Sequence, residues 1–153
     1  MQFRRYREGD APVLSALMRR SLLEINTDSP QWEIDWLYAR YSPEGVAEIA
    51  AESHMYVMLD GETIMGTGTV ALSGPGEAEL KAAFLAPEYV GRGLGVELFR
   101  TLEADEYAVG ASRIWLTSSD QALNFYERLG YQYVYGYRGR NEDKLFEMEK
   151  RHG

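Results

Sequence analysis

The sequence predicts a mixed α/β domain, in which about four helices pack on a mostly antiparallel sheet of six to seven strands. Two observations predict this fold class. Apolar residues recur at helical spacing in some segments and form short blocks rich in β-branched residues in others. Turn residues separate three consecutive strand-like blocks in the middle of the chain, which favours an antiparallel meander. The predicted order is β-α-α-β-β-β-α-β-α-β-β.

The first third of the chain predicts one strand followed by helices. Residues 3–7 have the pattern of a short strand. Asp10 can cap the next helix, with Pro12 in its first turn. A second helical region covers about residues 31–52. We expect it to break near Ser42 and Pro43, because a residue that precedes proline avoids the helical conformation.

The middle of the chain predicts three strands, at residues 55–59, 63–72 and 77–86. Asp60 and Gly61 end the first, and an Asp-Gly pair is a strong signal for a hairpin. Residues 73–76 have the composition of a turn, and Pro87 ends the third strand.

The last third predicts a helix, a strand at residues 113–117, a second helix and a closing pair of strands at 131–137 and 144–148. Ser119 or Asp120 can cap the second helix, and Gly130 ends it. Its apolar residues follow i, i+3, i+4, i+7 spacing: Ala122, Phe125, Tyr126 and Leu129.

Composition narrows the function classes. The 153 residues are 45% hydrophobic, and we expect a single domain over 1–153. The absence of cysteine excludes disulfides and thiolate chemistry. The net charge of −8 disfavours a nucleic-acid partner. We expect no membrane partner and a cytoplasmic location, since there is neither a secretory signal nor a long apolar run.

Metal binding is not expected either. His54 and His152 are the only histidines, and neither has a partner at metal-ligand spacing.

Residues 90–95, Val-Gly-Arg-Gly-Leu-Gly, lie between a predicted strand and a predicted helix. The first N–H groups of a helix lack intrahelical acceptors, and glycines let an anion approach the backbone. This pattern favours phosphate binding, although it is also compatible with an ordinary loop. It lacks the Lys-Ser/Thr ending of a P-loop and differs in spacing from the dinucleotide fingerprint.

A second motif makes this interpretation more specific. Residues 85–95, Leu-Ala-Pro-Glu-Tyr-Val-Gly-Arg-Gly-Leu-Gly, resemble the pyrophosphate loop of the GNAT superfamily of N-acetyltransferases. Residues 122–131, Ala-Leu-Asn-Phe-Tyr-Glu-Arg-Leu-Gly-Tyr, resemble the Ala-x-x-Phe/Leu-Tyr-x-x-x-Gly-Phe/Tyr segment of the same superfamily. The predicted order of elements also fits, so the resemblance covers essentially the whole chain.

The resemblance implies acetyl-CoA as co-substrate, without a metal. It implies that the fourth and fifth strands splay apart and that the pantetheine arm fills the gap. Val90 and Ser119 depart from the pattern, which usually has Gln or Arg and Asn at these positions. The residues implied to contact the cofactor are Phe84, Leu85, Ala86, Val90, Gly91, Arg92, Gly93, Leu94, Gly95, Ser119, Asn124 and Tyr126.

The resemblance also implies catalytic roles. Tyr126 is the candidate acid that protonates the departing thiolate of CoA; the alternative is that its ring only packs on the apolar face of its helix. Glu79 is the candidate base, directly or through water. The alternative is that Glu79 belongs to a solvated strand face shared with Glu77 and Lys81.

The expected reaction is transfer of an acetyl group to a primary amine of a small molecule or peptide in a ternary complex. Trp32 and Tyr38 lie in the region that often covers the acceptor site in this fold, with Trp36 and Tyr41 nearby; alternatively, all four belong to helix cores. Two other functions stay open, a CoA-binding regulatory module and an acetyltransferase of protein N-termini or lysines. A homodimer is possible.

Overall fold

The computed structural model describes residues 1–24, 30–118, 122–134 and 146–152. Within these ranges the chain forms seven strands and six α-helices. The strands are β1 (Gln2–Arg5), β2 (His54–Asp60), β3 (Thr63–Gly74), β4 (Glu77–Leu85), β5 (Arg113–Ser118), β6 (Gln132–Tyr133) and β7 (Phe146–Arg151). The helices are α1 (Ala11–Glu24), α2 (Gln31–Arg40), α3 (Pro43–Glu52), α4 (Leu94–Glu103), α5 (Glu106–Gly110) and α6 (Leu123–Arg128).

The strands form one sheet in the order β1-β2-β3-β4-β5-β7-β6. β1 pairs antiparallel with β2, and β7 pairs antiparallel with both β5 and β6. β4 and β5 are parallel neighbours. The mixed, mostly antiparallel seven-stranded sheet confirms the fold class that the sequence predicts.

The chain divides into two compact units. The first comprises residues 1–69 and 82–102, and the second comprises residues 70–81 and 103–153. Both β3 and β4 contribute residues to each unit. A single domain over 1–153 stays a prediction.

The core of the first unit forms where α1 and α3 pack on β2. Apolar residues of α1 recur at helical spacing and those of β2 at every second position, so each element turns one apolar side inward. Burial of each such side chain contributes about 1.5–3 kcal/mol to stability. The buried members are Ala11, Leu14, Met18, Leu22, Tyr41, Val46, Ile49, Met55, Val57 and Leu59.

The predicted break between α2 and α3 is confirmed, and its local chemistry is clear. The Ser42 hydroxyl accepts a hydrogen bond from the Gly45 N–H at 3.1 Å, and Pro43 occupies the first turn of α3. A Cβ on Gly45 would lie 1.9 Å from the carbonyl oxygen of Arg40, so only glycine fits at this position.

In the second unit, β5 lies between β4 and β7, and ion pairs join the three strands. The Arg113 guanidinium donates to Glu149 of β7 at 2.5 Å and lies 3.5 Å from a carboxylate oxygen of Glu77 on β4. Burial raises the pKa of Glu149, but hydrogen bonds from Arg113 and Arg151 outweigh it and leave that pKa below its usual value. These contacts stabilise the register of the three strands.

Two elements were not predicted. α5 has only five residues, too few to show a helical period, and Asp105 caps it by accepting the Tyr107 N–H at 2.8 Å. A single 3₁₀ turn, Pro87–Tyr89, precedes the glycine-rich segment. The described residues contain six helices, whereas the sequence predicts about four. The difference arises because residues 31–52 form two helices and because α5 is an additional helix. The predicted caps Ser119 and Asp120 lie outside the described residues.

None of the helices in the described ranges is long and apolar enough to cross a membrane.

The Asp10 carboxylate, directly before α1, is held by Arg4 and by the backbone of Arg7. Arg4 donates to both oxygens of Asp10 at 2.7 and 3.0 Å, and the Arg7 N–H donates to one of them at 2.8 Å. The hydrogen bond from Arg4 lowers the pKa of Asp10 below its usual value, against the opposing effect of burial. Asp10 is therefore charged in the folded protein at neutral pH.

We expect Asp10→Ala to lower the free energy of unfolding by about 2 kcal/mol at pH 7, since hydrogen bonds to charged groups contribute about that much. The pKa of Asp10 is lower in the folded state than in the unfolded state, where it is about 3.9. Its contribution to the free energy of unfolding is therefore complete above about pH 3.9 and is lost as the pH falls through the pKa of the folded state. The loss should therefore shrink between pH 5 and pH 3 in urea unfolding. Glu8→Ala, an exposed carboxylate two residues away, is the control. An equal loss at both pH values would contradict the assignment.

Candidate active site

The glycine-rich segment forms a tight turn into α4. Gly91 and Gly93 adopt left-handed backbone angles, with φ of 83° and 77°. A Cβ at either position would meet no atom within 4 Å, so the constraint is conformational and not one of space. Only glycine adopts this region without a steric penalty.

The turn ends where α4 begins, at Leu94. The first-turn N–H groups of α4, including those of Leu94 and Gly95, have no carbonyl within the helix to bond, and the positive end of the helix dipole lies beside them. Val90 is different, because its N–H donates to the Pro87 carbonyl at 3.4 Å and its side chain is exposed. The candidate donors for an anion are therefore the amides after Val90.

Two charged side chains flank this turn. The Arg92 guanidinium lies 5.4 Å from the ring centroid of Tyr89, which keeps a positive charge at the turn. Glu88, two residues before the turn, pairs with Arg20 of α1 at 2.8 Å. This ion pair partly neutralises the acidic group that would otherwise repel an anion.

Phe84, Leu85 and Ala86, the residues expected at the pantetheine arm, differ in the direction of their backbone groups. Ala86 uses both of its backbone groups internally: its N–H donates to Met65 at 2.8 Å, and its carbonyl accepts the Tyr89 N–H at 2.9 Å. The Phe84 carbonyl lies close to Gly66 of β3. Backbone groups alternate along a strand, so those of Leu85 face away from β3. Of the three residues, Leu85 is the one whose backbone groups are directed away from β3.

β4 and β5 pair over a short distance only. In the described part of the chain their register comprises three pairs, Glu77–Arg113, Ala78–Ile114 and Glu79–Trp115. Three residues after the last pair, Ala82 has a φ of 49°. A left-handed conformation costs a non-glycine residue about 1 kcal/mol, and such strain is concentrated at functional sites. It interrupts the extended course of β4 between Glu79 and Leu85.

Glu79 lies in the second unit, at the last position of β4 that pairs with β5. Its neighbours Ala78 and Leu80 are buried on one face of the strand, so Glu79 lies on the other. Glu79 is itself half-buried. Burial raises the pKa of its carboxyl, and the positive charge of Lys81 opposes that shift. A carboxylate with a raised pKa is a better proton acceptor near neutral pH.

Tyr126 also lies in the second unit, on α6. Its ring makes edge contacts with the rings of Phe125 and Tyr131, at centroid distances of 5.4 and 6.1 Å. Burial raises the pKa of Tyr126 to about 12. The phenol is therefore protonated throughout the neutral range and can act as a proton donor.

The remaining predicted residues differ in their surroundings. Asn124 is exposed on α6, and Ser119 lies outside the described residues. Trp32 is exposed on α2. Tyr38 is partly exposed, but the Arg19 guanidinium lies 4.1 Å from its ring centroid and covers one face. Tyr41 is buried and packs on Phe84, so it belongs to the core.

The predicted residues thus divide between the two units. The first unit holds the glycine turn, the end of β4, Trp32 and Tyr38. The second unit holds Glu79, Asn124 and Tyr126.

The sequence model of the acetyltransferase (GNAT) family matches residues 14–131, which is more than half of the chain. The chain belongs to the GNAT family. A comparison with curated proteins gives no match.

Solved structures share the fold of this GNAT chain. The PaiA N-acetyltransferase from Thermoplasma acidophilum, in complex with coenzyme A, is 20% identical, with 99% of this chain and 98% of that chain covered and a TM-score of 0.82. A GCN5-related N-acetyltransferase from Rhodopseudomonas palustris is 24% identical over 98% and 94% of the two chains, with a TM-score of 0.78. An aminoglycoside 6'-N-acetyltransferase complexed with coenzyme A is 18% identical over 99% and 97%, with a TM-score of 0.72.

Two features of this GNAT chain have no signal in the sequence. Alanine has no preference for a left-handed backbone, so the conformation of Ala82 is set by its surroundings. Glu103 and Lys150 bond each other at 2.8 Å although they are 47 positions apart. Nothing in the periodicity of either segment predicts that contact.

The turn itself can be tested through stability. We expect Gly93→Ala to lower the free energy of unfolding by about 1 kcal/mol, because a Cβ is strained at a φ of 77°. Gly110→Ala is the matched control: it also adds a Cβ in open space, but at a residue without a left-handed φ. Urea unfolding should show no loss for this control. Equal stability of the two variants would contradict the conformational argument.

Proposed function

We propose that this chain transfers the acetyl group of acetyl-CoA to a primary amine of a small molecule or peptide, by direct attack in a ternary complex. The observation that carries this proposal is the turn at Gly91 and Gly93, whose left-handed backbone opens α4 in a member of the GNAT family. Two proteins of the same fold have been crystallised with coenzyme A, which supports the choice of cofactor.

In this proposal the amides of residues 91–95 hold the pyrophosphate. The dipole of α4 and the Arg92 guanidinium both favour a negative charge at this position. The backbone of Leu85 pairs with the pantetheine arm, since Ala86 already uses its own N–H and carbonyl within the protein. Val90 contributes little, because its amide has an acceptor and its side chain is apolar.

Proton removal is assigned to Glu79. An alkylammonium substrate must lose a proton before its nitrogen can attack, and a half-buried carboxylate with a raised pKa accepts it, directly or through water. The amine nitrogen then attacks the thioester carbonyl. A backbone N–H near Leu85 stabilises the negative charge that develops on the carbonyl oxygen.

Proton delivery is assigned to Tyr126. When the C–S bond breaks, the sulfur of CoA leaves as a thiolate and takes the phenol proton of Tyr126. The attacking nitrogen releases its surplus proton to solvent, Glu79 also returns its proton to solvent, and the tyrosinate recovers one from solvent. With a pKa of about 12 the phenol is fully protonated before the reaction.

The amine is assigned to the surface of α2. Trp32 is 59% exposed, so its ring is accessible to a cationic group. The protein carries a net charge of −8, which attracts cationic substrates at low ionic strength. One face of Tyr38 is already covered by Arg19, so Trp32 is the stronger candidate of the two.

The test combines thiol release with calorimetry. Wild-type protein is assayed with acetyl-CoA and a panel of amines, polyamines, amino acids and peptides. We expect Tyr126→Phe to lower kcat by about 100-fold, the lower range for a general acid, with the affinity for CoA unchanged. Tyr133→Phe, which removes a phenol hydroxyl from β6 of the same unit, is the control and should keep its kcat.

One result would refute this proposal, and a second would change the role of one residue. If ~1 mM acetyl-CoA gives no heat of binding, any binding free energy is weaker than about 4 kcal/mol. That result would exclude acetyl-CoA as the cofactor. Normal turnover by Tyr126→Phe would remove Tyr126 from the acid role and leave the rest of the proposal intact.

A further inference from the structure

In the second unit, Glu103 and Lys150 contact Tyr131, which follows α6 in the sequence. The Tyr131 hydroxyl donates to a carboxylate oxygen of Glu103 at 2.6 Å. The Lys150 ammonium donates to the same oxygen at 2.8 Å and lies 4.8 Å from the ring centroid of Tyr131. We refer to Glu103, Tyr131 and Lys150 as the Glu103 cluster.

The Glu103 cluster is largely buried, and the charge of Lys150 balances that of Glu103. Tyr131 is 1% exposed, and the side chains of Lys150 and Glu103 are 26% and 23% exposed. A sheltered carboxylate is tolerated when it is paired and hydrogen-bonded, as Glu103 is. Burial and the bond to Glu103 both raise the pKa of Tyr131, so its hydroxyl stays a donor. The Tyr131 hydroxyl therefore stays protonated across the neutral range.

The side chain of Lys150 also packs against the backbone of Gly130. Gly130 has a φ of 100°, and a Cβ at this position would lie 3.2 Å from Cε of Lys150. The backbone of residue 130 thus packs directly against the lysine stem. A larger residue would be strained in its own conformation and would also displace Lys150.

The Glu103 cluster reaches Tyr126 through Tyr131 by two independent contacts. The two rings meet edge to face, at 6.1 Å between centroids and 75° between planes. The Tyr131 N–H also donates to the Tyr126 carbonyl at 3.0 Å. One contact restrains the ring of Tyr126, and the other restrains its backbone.

Such support matters because α6 is short. It has six residues, and Ala122 at its amino end has no side chain that can cap it. A helix of this length is not stable by itself, so tertiary contacts determine the position of its side chains.

We propose that Glu103 and Lys150 are positioning residues for acetyl transfer, which fix Tyr131 and thereby hold the Tyr126 hydroxyl where the departing thiolate needs a proton. This inference rests on the proposed role of Tyr126 as the acid. Neither Glu103 nor Lys150 is required to touch substrate or cofactor.

The first test is kinetic. Misplacement of a catalytic group by about 1 Å can cost on the order of 100-fold in rate, so we expect Glu103→Ala to lower kcat by at least ~10-fold with the KM for acetyl-CoA unchanged. Glu103→Gln keeps an oxygen acceptor for Tyr131 and should restore most of kcat. Glu149→Gln is the matched control, since it breaks the Arg113–Glu149 ion pair of the same unit without touching Tyr131.

A double-mutant cycle separates positioning from general destabilisation. In the Tyr126→Phe background, Glu103→Ala should cause little further loss of kcat, because it acts through the missing hydroxyl. A kcat for Glu103→Ala equal to that of Glu149→Gln, or losses that add fully to that of Tyr126→Phe, would overturn the proposal. If Glu103→Ala does not fold, Tyr131→Phe, which keeps the ring and loses only the donor, replaces it in the same cycle.

A spectroscopic measurement covers the case in which the proposed function fails. The ring-carbon resonance of Tyr126 in protein labelled with ¹³Cζ-tyrosine is compared between wild type, Glu103→Ala and Glu149→Gln. We expect the Tyr126 signal to move in Glu103→Ala only. If wild type shows no thiol release with any amine, the acetyltransferase proposal is refuted, and an unmoved Tyr126 signal would overturn the positioning proposal separately.

Discussion

The chain passes from β4 into α4 through a backbone that only glycine adopts easily. Gly91 and Gly93 have left-handed angles with open space around them, so their conformation is required by the turn and not by packing. Without a Cβ, these glycines also let an anion approach the amides that follow. The first amides of α4 are left without intrahelical acceptors beside the positive end of its dipole. The proposed function of the turn, binding the diphosphate of CoA, depends on this glycine backbone.

The second unit supports its candidate acid in a different way. Tyr126 lies on a short helix, and its environment is built by contacts distant in sequence: the ring of Tyr131, the carboxylate of Glu103 and the ammonium of Lys150. The charges in this cluster compensate each other, which lets polar groups lie in a sheltered place without a large desolvation cost. Stability and positioning depend there on the same bonds.

Much of this could be predicted from sequence because the signals are local. Hydrophobic periodicity located α1 and β2, the Ser42-Pro43 pair located the break before α3, and glycine spacing located the turn into α4. The contacts of Glu103 with Lys150, the strained backbone of Ala82 and the internal bonds of Ala86 were not predictable. Each is set by tertiary packing, and α5 is too short to have a period.

We propose that backbone amides of the turn, rather than the side chain at position 90, hold the pyrophosphate of CoA. Titration of ¹⁵N-labelled protein with CoA, and separately with pantetheine, which lacks the diphosphate, tests it most directly. CoA should shift the amide signals of residues 91–95 more than any others, and pantetheine should leave them in place. Binding of CoA that leaves these amides unmoved, or equal shifts with pantetheine, would contradict the account.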